Sequence, residues 1–149
     1  MKRWLILLSA ISLFLVGCDT TTKQVLTVDS LQHSWVLTKI DGKDLAISEP
    51  RIMTGMAIDA DLNVAGFGGC NRFTGRAEIA DGNKFRITSM GSTKMACIQA
   101  EQATVESIMT TSLQEWNNAS LENNVLTLTS EQHVLTFQPE EILDEGDPL

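Results

Sequence analysis

The chain has 149 residues, with 11 Lys and Arg against 19 Asp and Glu, so its formal net charge at neutral pH is −8. This length fits one domain. Nucleic acids and anionic lipid headgroups are bound through clustered Lys and Arg, and the part of the chain that looks folded has no basic cluster. We therefore expect no nucleic-acid partner.

The first residues have the layout of a secretory signal peptide. Lys2 and Arg3 precede an apolar run from Leu5 to Val16, which is shorter than the roughly 20 residues that a membrane-spanning helix needs. We predict that residues 1–17 are a signal peptide that is removed. Its removal takes two positive charges from the net charge of −8 and leaves −10.

The sequence Leu-Val-Gly-Cys at the end of this segment resembles the bacterial lipoprotein box. In that signal the cut falls before the cysteine, so Cys18 would become the acylated N-terminus and hold the protein to a membrane. The alternative is an ordinary signal peptide with a chance cysteine. The expected location is the bacterial cell envelope, facing the periplasm. Asp19 favours the inner membrane by resemblance to enterobacterial sorting rules, but the choice of membrane stays open.

Residues 18–30 are polar and threonine-rich, which is typical of a flexible tether. The folded domain is expected at 31–138, where short segments alternate between apolar and polar residues and predict β-strands. Asp-Gly pairs at 41–42 and 81–82 predict tight turns, because glycine adopts positive φ without strain. The predicted strands are Trp35–Ile40, Lys43–Ile47, Met56–Ile58, Leu62–Gly66, Arg72–Ile79, Phe85–Thr88 and two segments near 125–128 and 134–137.

One later segment has helical spacing instead. Asn117 and Asn118 would end this helix, and Trp35 and Trp116 are expected in the core. The fold class is therefore α+β, a mostly antiparallel β-sheet with a single helix and a closed barrel as one option. Residues 139–149 are predicted to be an acidic, disordered tail. The apolar residues at helical spacing are Ile98, Val105, Ile108, Met109, Leu113 and Trp116.

Cys70 and Cys97 form the second cysteine feature. Beyond an export signal the compartment is oxidising, so a disulfide is the expected state. It would close a loop of about 28 residues and stabilise the fold by about 3–4 kcal/mol. Two separate reduced, buried cysteines remain an alternative. A redox-active pair is a further one, although the chain has no Cys-x-x-Cys.

Two motifs that contain these cysteines resemble the META domain family. The resemblance covers residues 31–138 and implies a mostly antiparallel sheet with one helix and a setting in the bacterial envelope, but no reaction. The motifs are Gly68-Gly69-Cys70-Asn71-Arg72-Phe73-Thr74-Gly75 and Thr93-Lys94-Met95-Ala96-Cys97.

Few residues are candidates for ligand binding, metal binding or catalysis. Asn71 and Arg72 are candidate binding residues, whereas Met95 is expected to pack internally. No metal site or cofactor is predicted, because His33 and His133 lack ligand spacing and the glycines fit no nucleotide fingerprint. The expected function is a non-catalytic role in stress resistance, through an unknown envelope protein or a small apolar ligand. The alternative is an envelope enzyme of hydrolase type, which a deep polar pocket with a perturbed carboxylate or histidine would favour.

Overall fold

Strands that alternate between inward and outward side chains build the fold. In the strand Val125–Thr129, for example, Leu126 and Leu128 are fully buried while their neighbours are partly exposed. The computed structural model describes residues 24–45 and 53–141. In chain order the elements are α1 (Val28–Leu31), β1 (Ser34–Ile40), β2 (Lys43–Asp44), β3 (Gly55–Ile58), β4 (Asn63–Phe67), β5 (Arg72–Ala80), β6 (Lys84–Ser92), α2 (Ala100–Gln114), β7 (Asn117–Glu122), β8 (Val125–Thr129) and β9 (Val134–Pro139).

Eight of the strands close into an antiparallel barrel. The order is β1-β3-β4-β5-β6-β7-β8-β9, and β9 returns to pair with β1, for example at Leu37↔Phe137. The short β2 adds to the end of β1 through Ile40↔Lys43. The α+β prediction is confirmed, and the sheet takes the closed form, which leaves the barrel strands without a free edge.

The interior of the barrel is filled by side chains. The inward residues of every barrel strand join one hydrophobic cluster with residues of both helices. The two helices therefore contribute to the same core as the sheet. The largest fully buried apolar side chains are Trp35, Phe73, Phe85, Phe137, Leu31, Ile87, Met109, Leu113, Leu126, Leu128 and Leu135.

Helix α2 confirms the predicted helix but not its ends. Met109 and Leu113 are fully buried, and α2 packs beside β6. Ile98, however, precedes the helix and is 99% exposed, while Trp116 follows it and is 41% exposed. The expectation that Trp116 lies in the core was wrong, as was the assignment of Ile98 to the helix. The indole of Trp116 instead lies on the outside, with the guanidinium carbon of Arg86 4.3 Å from its ring centroid.

The strand β7 was not predicted, because its first residues looked like a helix stop. The side-chain amide of Asn117 donates to the carbonyls of Ser112 and Glu115, so it caps the helix while its backbone starts the strand. Asn123 and Asn124 then turn the chain into β8 with φ of 51° and 61°. The predicted Asp41-Gly42 turn is confirmed, with φ of 52° and 76°.

The folded part begins before the predicted start at residue 31. Leu26 is 5% exposed, and its backbone N–H donates to Asn83 Oδ1 at 3.0 Å. A capping box at Thr27 opens α1. The last residues of the predicted tether thus belong to the fold, because Leu26 contributes to the core.

At the other end, β9 includes Pro139, so the predicted tail starts too early by at least one residue. The predictions for residues 1–23, including Cys18, and for 142–149 lie outside the described residues. Within the described residues, no helix has the length and apolarity that crossing a bilayer requires.

Candidate functional site

The two cysteines meet at one corner of the barrel. Cys70 lies in the turn between β4 and β5, and Cys97 lies in the loop between β6 and α2. They form a disulfide with their Cα atoms 5.6 Å apart, within the range that a disulfide requires. The bond therefore ties two loops that are distant in sequence at the place where the motifs meet.

Glu106 of α2 lies beneath the turn that contains Cys70. Its Oε2 accepts the backbone N–H groups of Cys70 at 3.0 Å and Asn71 at 2.5 Å, and its Oε1 accepts Asn71 Nδ2 at 2.7 Å. A Cβ on Gly68 would lie 2.7 Å from Glu106 Cγ. The motif glycine is therefore needed for the close approach of this carboxylate.

Asn71 connects the turn to the loop that follows β6. Its Oδ1 accepts the backbone N–H of Met95 at 2.7 Å and the hydroxyl of Thr93 at 2.9 Å, and its Nδ2 also donates to the Met95 carbonyl at 3.3 Å. The residue is only 6% exposed. Asn71 was a predicted binding residue, but both polar atoms of its side chain bond within the chain, which gives it a positioning role.

Arg72 has a different environment from its neighbour. Its backbone N–H donates to Thr93 Oγ1 at 3.1 Å, and the residue as a whole is exposed. Its side chain lines a shallow groove on the outer face of the barrel. A binding role for Arg72 stays a prediction.

The loop 93–98, which we call the clamped loop, carries exposed apolar side chains. Asn71 and the disulfide hold it at Thr93, Met95 and Cys97. Nevertheless Met95 is 63% exposed and Ile98 is 99% exposed. The expectation that Met95 packs internally was wrong, because its backbone rather than its side chain makes the internal contacts.

The outer face of β1, β3, β4 and β5 forms a groove of about 330 Å³. It is open to solvent, and small residues on neighbouring strands leave space for it. Ala57 pairs with Ala65, and Gly55 pairs with Phe67. Arg72 and Glu140 also line the groove. The space available for a ligand here lies on the surface and not inside the barrel.

His133 and Asp41 form a pair on the surface. His133 Nδ1 lies 2.8 Å from Asp41 Oδ2. The N–H of Val134, with a contribution from His133, holds the pKa of Asp41 below its usual value. Ser130 Oγ bonds to the backbone of His133 and not to its ring. The geometry fastens the β8–β9 hairpin to the β1–β2 turn, and it is not that of a hydrolase triad.

His33 lies elsewhere and is exposed. Its Nδ1 is 3.9 Å from a carboxylate oxygen of Glu141, and its ring meets the edge of the Trp35 ring at a centroid distance of 5.5 Å. Together with Glu140 it lines a shallow polar cleft. In the described part of the chain, no hydroxyl or thiol hydrogen-bonds to either histidine ring. These contacts supply no activated nucleophile.

One group of side chains has the composition of a metal site. The sulfur atoms of Cys70 and Cys97 and a carboxylate oxygen of Glu106 lie within 4.8 Å of one another. In the disulfide form, however, the two sulfurs are bonded to each other and are not free thiolates.

Known proteins are similar to this chain in sequence and in fold. The chain matches the family model of the META domain over residues 26–142. It is similar to the heat shock protein HslJ of Escherichia coli (strain K12), with 26% identity over 140 residues that cover 91% of this chain and 94% of HslJ.

Two solved NMR structures are similar in fold. One has a TM-score of 0.67 and 22% identity, and the match covers 80% of this chain and 99% of that one. The other, from Burkholderia xenovorans, has a TM-score of 0.61 and 22% identity, with coverage of 81% and 96%. Both support the same barrel architecture.

Proposed function

Because the chain belongs to the META domain family, we propose that it is a non-catalytic, lipid-anchored protein of the bacterial envelope that binds a partner protein through its clamped loop. The observation that carries this proposal is the exposure of Met95 and Ile98 on a loop that the fold holds in place. The leader at residues 1–17 and Cys18 support the anchor. The name of HslJ, a heat shock protein, supports a role in stress resistance.

The energetics favour binding through this loop. Burying one large apolar side chain contributes about 1.5–3 kcal/mol. A flexible loop would lose part of that gain when it became ordered, but Asn71 and the disulfide already hold the clamped loop in the free protein. Two such side chains, Met95 and Ile98, can therefore act as anchors for a complementary apolar pocket of the partner.

A small apolar ligand fits the structure less well as the bound species. A ligand inside the barrel would have to displace side chains such as Phe137 and Leu128, which are fully buried. The grooves on the protein surface are open to solvent and would cover only part of a ligand. A partner protein, in contrast, needs an exposed apolar surface, which the clamped loop provides.

A site-specific photo-crosslinker at position 98 tests the proposal in heat-stressed cells. We expect it to capture one envelope protein, whereas a crosslinker at Val25, which is 75% exposed and precedes α1, should not. The purified captured protein should bind the wild-type chain and lose binding to the Met95→Ser/Ile98→Ser double variant. The Val25→Ser variant should bind as the wild type does.

Two further measurements separate the parts of the proposal. The double variant should keep the wild-type melting temperature, because both substituted side chains face solvent, and yet fail to restore heat survival to a deletion strain. Cys18→Ser should move the protein from the membrane fraction to the soluble fraction. Equal binding by the double variant and the wild type would rule out the clamped loop as the binding surface.

A further inference from the structure

We propose that, once a dithiol reductant opens the Cys70–Cys97 disulfide, the two sulfurs and the carboxylate of Glu106 bind one thiophilic divalent cation such as Zn²⁺. The three ligand atoms come from three segments that the fold brings within 4.8 Å of one another. This inference does not depend on the proposed partner binding.

The geometry suits a metal with few protein ligands. The Cα atoms of Cys70 and Cys97 are 5.6 Å apart. Small side-chain rotations can therefore place each sulfur about 2.3 Å from a zinc ion, which is the usual Zn–S bond length. Zinc in a tetrahedral site with three protein ligands leaves a fourth position for water. All three residues are partly exposed, so the cation and the water can reach the corner.

The carboxylate of Glu106 is already oriented toward this corner. The backbone N–H groups of Cys70 and Asn71 and the side-chain amide of Asn71 donate to its two oxygens. Hydrogen bonds of this kind fix the orientation of carboxylates that bind metals. Gly68 leaves the room for Glu106 to approach the turn, since a Cβ there would meet the glutamate side chain. The ligand is therefore in place before any metal arrives.

Reduction opens the disulfide before the metal binds. The dithiol supplies two electrons and two protons, the S–S bond of Cys70–Cys97 breaks, and the reductant leaves as its own disulfide. Zn²⁺ then displaces the two thiol protons. Two thiolates, one carboxylate and the cation give the site a formal charge of −1. The exposed Lys94 lies in the clamped loop together with Cys97, and its positive charge is opposite in sign to that of the metal site.

The consequence is that a metal could replace the covalent bond. Both the disulfide and the proposed metal site join the β4–β5 turn to the loop that follows β6. The clamped loop would then keep its position in the oxidised chain and in the reduced, metal-loaded chain. Only the reduced, metal-free chain would lose the link through the sulfurs and hold the loop through Asn71 alone.

Titration of the reduced full chain with Co²⁺ and Zn²⁺ tests the site, with Cys18→Ser in every sample to remove the third thiol. We expect one Co²⁺ per chain with thiolate-to-cobalt charge-transfer absorption, and no such absorption from the oxidised chain. X-ray absorption at the zinc edge should count two sulfur ligands and two lighter ones. Zn²⁺ should also raise the melting temperature of the reduced chain by several degrees relative to a sample with chelator.

Variants identify the ligands. Cys97→Ser should abolish the charge-transfer absorption, and Glu106→Gln should weaken Zn²⁺ binding by about tenfold or more. Glu101→Gln is the matched control, because Glu101 lies in the first turn of the same helix and is exposed, and it should bind as the wild type does. If Glu106→Gln weakens the fold, the count of sulfur and lighter ligands in the wild type still decides the proposal.

The proposal is overturned if the reduced chain gives no charge-transfer absorption or if the zinc edge shows no sulfur ligands. Wild-type affinity in Glu106→Gln would also overturn it, since the carboxylate would then not be a ligand. The same holds for a reduced chain that is unfolded and does not refold with Zn²⁺, because a metal that binds only the folded site must favour folding.

Discussion

Breaking the Cys70–Cys97 disulfide in the presence of a chelator should strongly destabilise the fold. The two cysteines are 27 residues apart in sequence. The chain-entropy relation for a loop of this length predicts a loss of about 3.6 kcal/mol in the free energy of unfolding at 25 °C. Because a domain of this size has about 5–15 kcal/mol in total, this loss is a large share of its stability.

This loss in the free energy of unfolding can be measured as a decrease in the melting temperature. For a domain of this size, about 4 °C of melting temperature corresponds to 1 kcal/mol, so the expected decrease is roughly 15 °C. Circular dichroism melts of the chain, oxidised and reduced with chelator, measure it. The Cys70→Ser/Cys97→Ser double variant is the control. It should melt near the reduced wild type, and the reductant should not change its melting temperature.

An equal melting temperature before and after reduction would refute this reasoning, as would an equal decrease in the double variant, which has no bond to reduce. A decrease much larger than the loop entropy predicts would mean that the Asn71 contacts fail together with the bond. Combining Asn71→Ala with reduction measures that coupling, because contacts that depend on each other give non-additive changes.

Two further predictions concern polar side chains. Asn71→Ala should lower the free energy of unfolding by about 2 kcal/mol, since the backbone N–H of Met95 and Oε1 of Glu106 lose the hydrogen bonds that the amide makes, while Glu106 Oε2 keeps its two backbone donors. Denaturant unfolding measures this loss; no change would contradict the positioning role. Asp59 accepts hydrogen bonds from the side-chain amide and backbone of Asn63, and from the backbone of Asp61, which hold its pKa below the usual 3.8. Asp59→Ala should therefore melt below the wild type at neutral pH. The difference should shrink as the pH falls through the lowered pKa, because the wild type loses this contribution when Asp59 is protonated; a difference that grows in acid would contradict it.

The sequence predicted every barrel strand except β7, because local rules control these strands. Asp41-Gly42 formed a tight turn between β1 and β2, as glycine chemistry dictates. The alternation at Leu126 and Leu128 placed one face of β8 in the core. The closed form of the sheet was only one option from the sequence, because the pairing of β1 with β9 joins residues about a hundred positions apart.

The surface of the molecule was harder to predict, because tertiary contacts decide it. Trp116 looked like a core residue by helical spacing, but α2 ends before it and Arg86 stacks on its ring. Met95 looked internal by composition, but Asn71 binds its backbone and leaves its side chain in solvent. Glu106 was missed as part of the site, since nothing in the sequence connects a helical glutamate to a turn 35 residues earlier.

The positions of these residues limit what the family motif can say about function. Gly68, Cys70 and Asn71 make internal contacts. A relative with the same three residues therefore retains the contacts that position the clamped loop. In the proposed function, the side chains that a partner would meet are those of Met95 and Ile98, which face solvent. Asn71 bonds to the backbone of Met95 and not to its side chain. These positions can therefore change without loss of the fold. The shared motif therefore predicts only the turn and loop that hold these side chains in position. The identity of a partner must be sought by experiments on the exposed side chains of each protein.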